Sequence, residues 1–155
     1  MTEQNSIPKV KNYYFWGLGF LFLVAVDQIV KLFVVNPFRN YFFAFSLPVP
    51  TVIMFAIYFV VLSVSIVWAE KHWLRENNVF KMAWVLIFAG AFANVGERVI
   101  LGYVRDFIYI SFFRWTGVYN LADGYIILGV LFLVVPSFLI SGQSSKEISE
   151  SRIRN

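Results

Sequence analysis

The chain contains three aspartates, Asp27, Asp106 and Asp123. Two carboxylates that meet can run acid–base hydrolysis. Like charges in contact resist joint ionisation, so one member keeps its proton. The ionised member takes a proton from water, and the other donates one to the substrate. Asp106 and Asp123 are the best candidates, because neither has a lysine or arginine beside it at helical spacing. Arg105 adjoins Asp106, but successive residues point to different faces. Spacing alone does not say that the two aspartates meet.

Other polar groups fall into short constellations. Asp27 and Lys31 are four apart, so they share a helix face and can pair. Their expected role is a neutralised pair that holds the end of an element. Asn94, Glu97 and Arg98 fall at i, i+3 and i+4, again on one face. Gly90, Ala91 and Ala93 precede them, and small residues let helices approach closely in lipid. Asn120 and Asp123 share a face if their helix starts early.

Competing chemistries are weaker. Cysteine is absent, which removes thiol nucleophiles, disulfides and zinc-thiolate sites. His72 is the single histidine, lies in Glu70-Lys71-His72-Trp73 far from every aspartate, and reads as a solvated loop residue. No HExxH, GxSxG or P-loop pattern occurs. No metal and no cofactor is expected.

The elements that must position these groups are membrane helices. Of 155 residues, 59% are hydrophobic and 14% charged, and the mean hydropathy is +0.69. A soluble domain is nearer half apolar and a quarter charged. The reading is an all-α membrane protein of one domain, residues 1–155, with four transmembrane helices. The spans are placed at about 13–35, 51–69, 82–98 and 119–140, since a bilayer core of about 30 Å needs roughly 20 apolar residues. The polar start reads as the lead-in to an uncleaved first span, and 141–155 as a cytoplasmic tail. A small extracytoplasmic segment joins helices 1 and 2. Basic residues favour the cytoplasmic side. Lys9, Lys11, Lys71, Arg75, Lys81, Lys146, Arg152 and Arg154 fall on one side, against Arg39, Arg98, Arg105 and Arg114 on the other. Both termini are therefore expected inside, and loops 36–50 and 97–118 outside. The net charge of +4 is scattered and fits topology better than nucleic-acid binding.

Depth adds a second argument. At about 1.5 Å per residue, Asp27 lies roughly 21 Å from the inner face, Glu97 roughly 22 Å and Asp123 roughly 25 Å. Three helices thus place an acid at nearly one level. Either helix ends are simply more polar, or a polar site lies near the outer surface. An acid at the centre of a lipid-embedded helix costs about 2.5–3.5 kcal/mol on insertion scales, so partners or a wet cavity are needed.

At these residues the sequence resembles the lipoprotein signal peptidases, or signal peptidase II. Asp27-Gln28-x-x-Lys31 resembles that family's DQxxK block, and Asn40 to Ser46 its NxGAAFS block. Ala89 to Arg98 is similar to GGALGNxxDR, Gly102 to Ile108 to GxVxDFI, and Tyr119 to Asp123 to FNxAD. The resemblance implies an intramembrane aspartic endopeptidase with Asp106 and Asp123 catalytic. It implies that Asn40, Gly90, Asn94, Arg98 and Asn120 line the substrate site, supported by Asp27, Lys31 and Glu97. The implied partners are diacylglyceryl-modified prolipoproteins, cleaved just before the lipidated cysteine at the outer face of the inner membrane. Membrane lipid and globomycin-type inhibitors are implied as well.

Three departures stand out. Glu97 replaces an aspartate, which shifts a carboxylate by one methylene and is expected to disturb a salt bridge to Arg98 or to an adjacent helix. Phe42 and Phe43 replace small residues, and read as interface anchors in preference to plugs of the groove. Gly124 stands where serine is usual. These departures keep open a non-catalytic lipoprotein-binding or assembly protein on the same scaffold. A proton-coupled transporter is a third class, weakened by the absence of a repeat and by acids that gather on one side.

Overall fold

The computed structural model describes residues 10–42, 48–73, 77–113 and 115–135. Phe43, the amino-terminal residues 1–9 and the tail 141–155 lie outside these. Helix α1 spans Val10–Phe33, α2 Thr51–Trp73 and α3 Asn78–Leu101. All three are long and apolar enough to cross a membrane. A shorter apolar helix, α4, runs Leu121–Val135. Helix α3 is the hub and packs chiefly on α1.

Large apolar side chains such as Phe22, Leu32, Val52 and Phe59 are exposed on α1 and α2. In water this would be a liability; in lipid it is the ordinary outer surface of a span. The buried set is inverted relative to a soluble core. Asp27, Lys31, Asn94, Glu97, Arg98, Asp106 and Asn120 are all inside.

Small residues bring α3 against α4. A Cβ on Gly90 would collide with the Ala122 carbonyl oxygen and press on Ile126. A Cβ on Gly129 would come within 2.6 Å of the Ala83 carbonyl oxygen. Gly90→Ala should therefore push the start of α4 outward and lower stability by about 1–3 kcal/mol. Gly96→Ala, which meets nothing within 4 Å, is the matched control and should be nearly neutral. Thermal unfolding of the two variants in detergent measures the difference.

The helix ends carry clear local signals. Asn77 caps α3 by accepting a bond from the Phe80 N–H at 2.9 Å. Gly102 closes α3 in the left-handed region, φ 81°, and its N–H reaches the Arg98 carbonyl. The chain then reverses into extended structure that composition and periodicity did not disclose. Strand β1 (Phe38–Asn40) pairs antiparallel with β2 (Val104–Asp106). Strands β3 (Ile108–Phe112) and β4 (Trp115–Tyr119) form a hairpin. The Phe107 N–H bonds to the Tyr119 carbonyl at 2.8 Å, which ties the β2 end to the start of α4.

At the far end of the bundle, Tyr13 and Trp16 contact Trp73, and Trp68 contacts Trp84. His72 belongs to this end. It lies in the last turn of α2, against the Trp68 ring at 4.7 Å, and not in a loop.

Candidate active site

The site forms where the last turns of α1 and α3 meet the first turn of α4 and the β1–β2 ribbon. Asp106 ends β2 and is 1% exposed. Its Oδ2 accepts from Asn40 Nδ2 at 2.8 Å, and its Oδ1 from Asn120 Nδ2 at 2.6 Å. Asn40 is held in turn, since its Oδ1 accepts from the Phe42 N–H at 3.0 Å.

Asp123 sits in the first turn of α4. Its Oδ2 accepts from the Asn120 N–H at 3.1 Å, while the Asp123 N–H donates to Asn120 Oδ1 at 3.0 Å. This is a reciprocal capping box, which satisfies helix donors that would otherwise be orphaned. The positive end of the helix dipole favours a carboxylate there. Asp123 Oδ1 accepts from Asn94 Nδ2 at 2.7 Å.

Two asparagines therefore link the two aspartates. Asn120 donates to Asp106 and also to Asn94 Oδ1 at 3.1 Å, and Asn94 donates to Asp123. Both carboxylates are fixed by amide donors and neither forms a salt bridge among the described residues. Burial pushes the Asp106 carboxyl above its ordinary range. The amide donors of Asn40 and Asn120 oppose that shift, and the charge of Asp123 adds to it.

A separate charged layer lies behind the pair. Lys31 Nζ reaches Asp27 Oδ2 at 2.8 Å, Glu97 Oε2 at 2.9 Å and Asn94 Oδ1 at 3.4 Å. Asp27 Oδ1 accepts from the Ala122 N–H at 3.0 Å, fixing α1 to the start of α4. Glu97 is the junction of this layer. Its Oε1 meets Arg105 Nε at 2.6 Å, and its Oε2 also accepts the Arg105 N–H at 3.1 Å. Arg105 extends to Gln28 Oε1 at 3.1 Å. The longer glutamate thus spans a lysine on α1 and an arginine on β2 at once. It forms no ion pair with Arg98, in keeping with the rule that neighbours in sequence diverge on a helix.

Arg98 turns the other way. Its Nη2 donates to the Phe42 carbonyl at 2.9 Å and its Nη1 to the Asn94 carbonyl at 3.3 Å. Its guanidinium lies 5.8 Å from the Tyr58 ring centroid. Its buried Nε has no hydrogen-bond partner among the described residues. Phe42 is held through its backbone while its ring is half exposed. Gly90 is buried at the α3–α4 contact, one turn before Asn94. At Gly124 a Cβ meets nothing within 4 Å, so packing does not demand the glycine.

The geometry thus gathers Asn40, Asn94, Asn120, Asp106 and Asp123 into one network, and Asp27, Lys31 and Glu97 into the layer behind it. Arg105 and Gln28 belong to that layer and were missed as site residues. Gln28 follows Asp27 in sequence, and Arg105 precedes Asp106. Gln28 also stands in the DQxxK block, whereas adjacency was the only signal for Arg105.

Comparison with known proteins bears on the family and the fold. The signal peptidase (SPase) II family model matches residues 19–139. The lipoprotein signal peptidase of Ectopseudomonas mendocina is 36% identical over 152 residues, covering 97% of this chain and 80% of that protein. That of Alteromonas mediterranea is 34% identical over 90 residues, 57% of this chain, and the match spans about half that relative's length, 49%. A bacterial membrane enzyme solved by the in meso method at 2.3 Å resolution aligns with a TM-score of 0.65. It shares 24% identity over 84% of this chain and 90% of its own, a likeness of fold. Matched by the family model over residues 19–139, well beyond half its length, the chain belongs to the signal peptidase II family.

Proposed function

We propose that this protein is an intramembrane aspartic endopeptidase that removes the signal peptide from diacylglyceryl-modified prolipoproteins, cutting just before the lipidated cysteine. The observation that carries the reading is the asparagine-bridged pair of buried Asp106 and half-buried Asp123, at one end of a bundle of membrane-length helices.

The reaction needs no covalent intermediate. A water between the two carboxylates loses a proton to the ionised aspartate as its oxygen attacks the scissile carbonyl. The protonated aspartate gives its proton to the leaving amide nitrogen. One proton is taken and one returned, so the pair ends ready for another cycle. The pair titrates as a unit, so the two roles are shared between Asp106 and Asp123. A helical signal peptide hides its carbonyls and must unwind locally. Arg98, whose guanidinium already holds the Phe42 carbonyl, is suited to hold the opened backbone. Asn40, Asn94 and Asn120 keep the carboxylates oriented, and Gly90 keeps α4 close.

In this reading the protein lies in the bacterial inner membrane with both termini cytoplasmic and the site near the outer face. The substrate acyl chains remain in lipid between helices. Globomycin-type inhibitors would occupy the same site.

A gel-shift cleavage assay tests the reading. The purified chain, in detergent or lipid, receives a diacylglyceryl-modified prolipoprotein, with Asp123→Asn as the control. Cleavage by the native protein and not by the variant is the expected result. Binding without cleavage by either would replace the peptidase with a lipoprotein-binding protein.

A further inference from the structure

The β1–β2 ribbon has two faces, and the aspartate pair lies on only one. Side chains alternate across a strand. One face carries Asn40 and Asp106 toward the aspartate pair. The other carries Arg39 and Arg105, which are direct cross-strand partners. Like charges placed opposite each other disfavour a ribbon. Arg105 is neutralised by Glu97 at 2.6 Å. Arg39 has no carboxylate partner among the described residues; its guanidinium instead lies 5.3 Å from the Tyr103 ring centroid.

These residues line a crevice of about 390 Å³. Its walls include Leu32, Val34, Asn36, Arg39, Tyr103 and Arg105, and no acid lines it among the described residues. Lys31, Arg105 and Arg39 stand against Asp27 and Glu97, which leaves one positive charge over. Hydrogen-bonding capacity is left over as well. A guanidinium carries more N–H donors than the three side-chain bonds Arg105 makes to Glu97, Lys31 and Gln28. Arg39 and the Asn36 amide add further donors.

The rim of the crevice is apolar. Leu32, Phe33 and Val35 are 71%, 81% and 84% exposed at the end of α1. The crevice therefore sits where a membrane helix ends, with lipid-facing side chains on one side and cations on the other. Guanidiniums bind phosphate through paired N–H donors, and the exposed apolar side chains beside them match the acyl chains of a lipid.

We infer that the outward face of the β1–β2 ribbon, with Arg39 and Arg105 at its centre, binds the phosphate of an anionic phospholipid headgroup. The phosphate lies between the two guanidiniums and relieves their opposition. The acyl chains follow the exposed flank of α1. A bound lipid braces the ribbon that carries Asp106 on its other face, so membrane composition acts on the site without entering it.

The test is native mass spectrometry of the full chain in detergent, titrated with dioleoylphosphatidylglycerol, with dioleoylglycerol or with inorganic phosphate. Phosphatidylglycerol should be retained and dioleoylglycerol, which lacks the phosphate, should not. Arg39→Gln should weaken retention about tenfold, which is about 1.4 kcal/mol at 25 °C. Arg39→Lys keeps the charge but not the fork, and should fall between. Arg39 is exposed and held by one ring contact, so these variants should unfold at the native temperature in lipid-free detergent. Equal retention by Arg39→Gln, or equal retention of dioleoylglycerol, overturns the inference. Inorganic phosphate binding as tightly as the lipid overturns the lipid as occupant.

Discussion

Asp106→Asn is expected to lower prolipoprotein cleavage by about 10²–10⁴-fold, the range for loss of a positioned acid–base group. The folded protein should survive. Asparagine keeps the shape of aspartate and can still accept from Asn120 through its oxygen. Its amide nitrogen, however, then faces the Asn40 Nδ2 that donates to Asp106 Oδ2 in the native protein. Asn40 cannot simply turn over, because its Oδ1 is engaged by the Phe42 N–H. The loss is about one hydrogen bond, or about 1 kcal/mol. Activity and stability therefore separate, and circular dichroism beside the cleavage assay reads both. Full activity in this variant would end the dyad assignment.

The pH profile of the native protein provides a second reading of the same residue. Burial holds the Asp106 carboxyl above the ordinary range, so the limb it governs should lie at higher pH than for an exposed carboxylate. The Asn40 amide opposes that shift by stabilising the ionised form. Asn40→Ala removes the donor and should move the limb further upward. The sign is the same in either role, because a raised pKa moves both the rising limb of a base and the falling limb of an acid to higher pH. A downward move would contradict the hydrogen bond.

Much of the site was legible from local spacing. The Asp27–Lys31 pair follows from four-residue separation, and the common level of Asp27, Glu97 and Asp123 follows from helix rise. The stripe Asn94, Glu97, Arg98 was visible as one face, but not its division. Asn94 and Glu97 turn to Lys31, whereas Arg98 turns to Phe42. That division depends on which neighbour lies on each side, and helical periodicity does not name neighbours. The β1–β2 ribbon was invisible for another reason. Strands of three residues contain too little alternation to read, and their partners are 66 residues apart. Arg105 reaches Glu97 only because Gly102 reverses the chain after α3. The Asn120–Asp123 spacing was seen as a shared face, although an asparagine three residues before an acid is also the signature of a capping box. Reading it that way places Asp123 in the first turn of α4, where the structure has it.

Lys31→Met should be the most destabilising of the substitutions considered. Lys31 is 1% exposed and is the cation between two buried acids, Asp27 and Glu97. Glu97 would retain Arg105 at 2.6 Å. Among the described residues Asp27 would retain only neutral donors, the Ala122 N–H and the Gln28 amide. Leaving a buried charge without its partner costs about 3–5 kcal/mol, a large share of a total stability of about 5–15 kcal/mol. The cleavage activity should fall with it, because Asp27 ties α1 to the turn that carries Asp123. The double variant Lys31→Met with Asp27→Asn separates charge from shape. Asparagine keeps an oxygen for the Ala122 N–H but removes the orphaned charge. If the cost is electrostatic, the double variant should be more stable than Lys31→Met alone, a coupling of the kind a double-mutant cycle isolates. Thermal unfolding in detergent provides the comparison. Equal stability of the two variants would instead assign the role of Lys31 to its packing against α3.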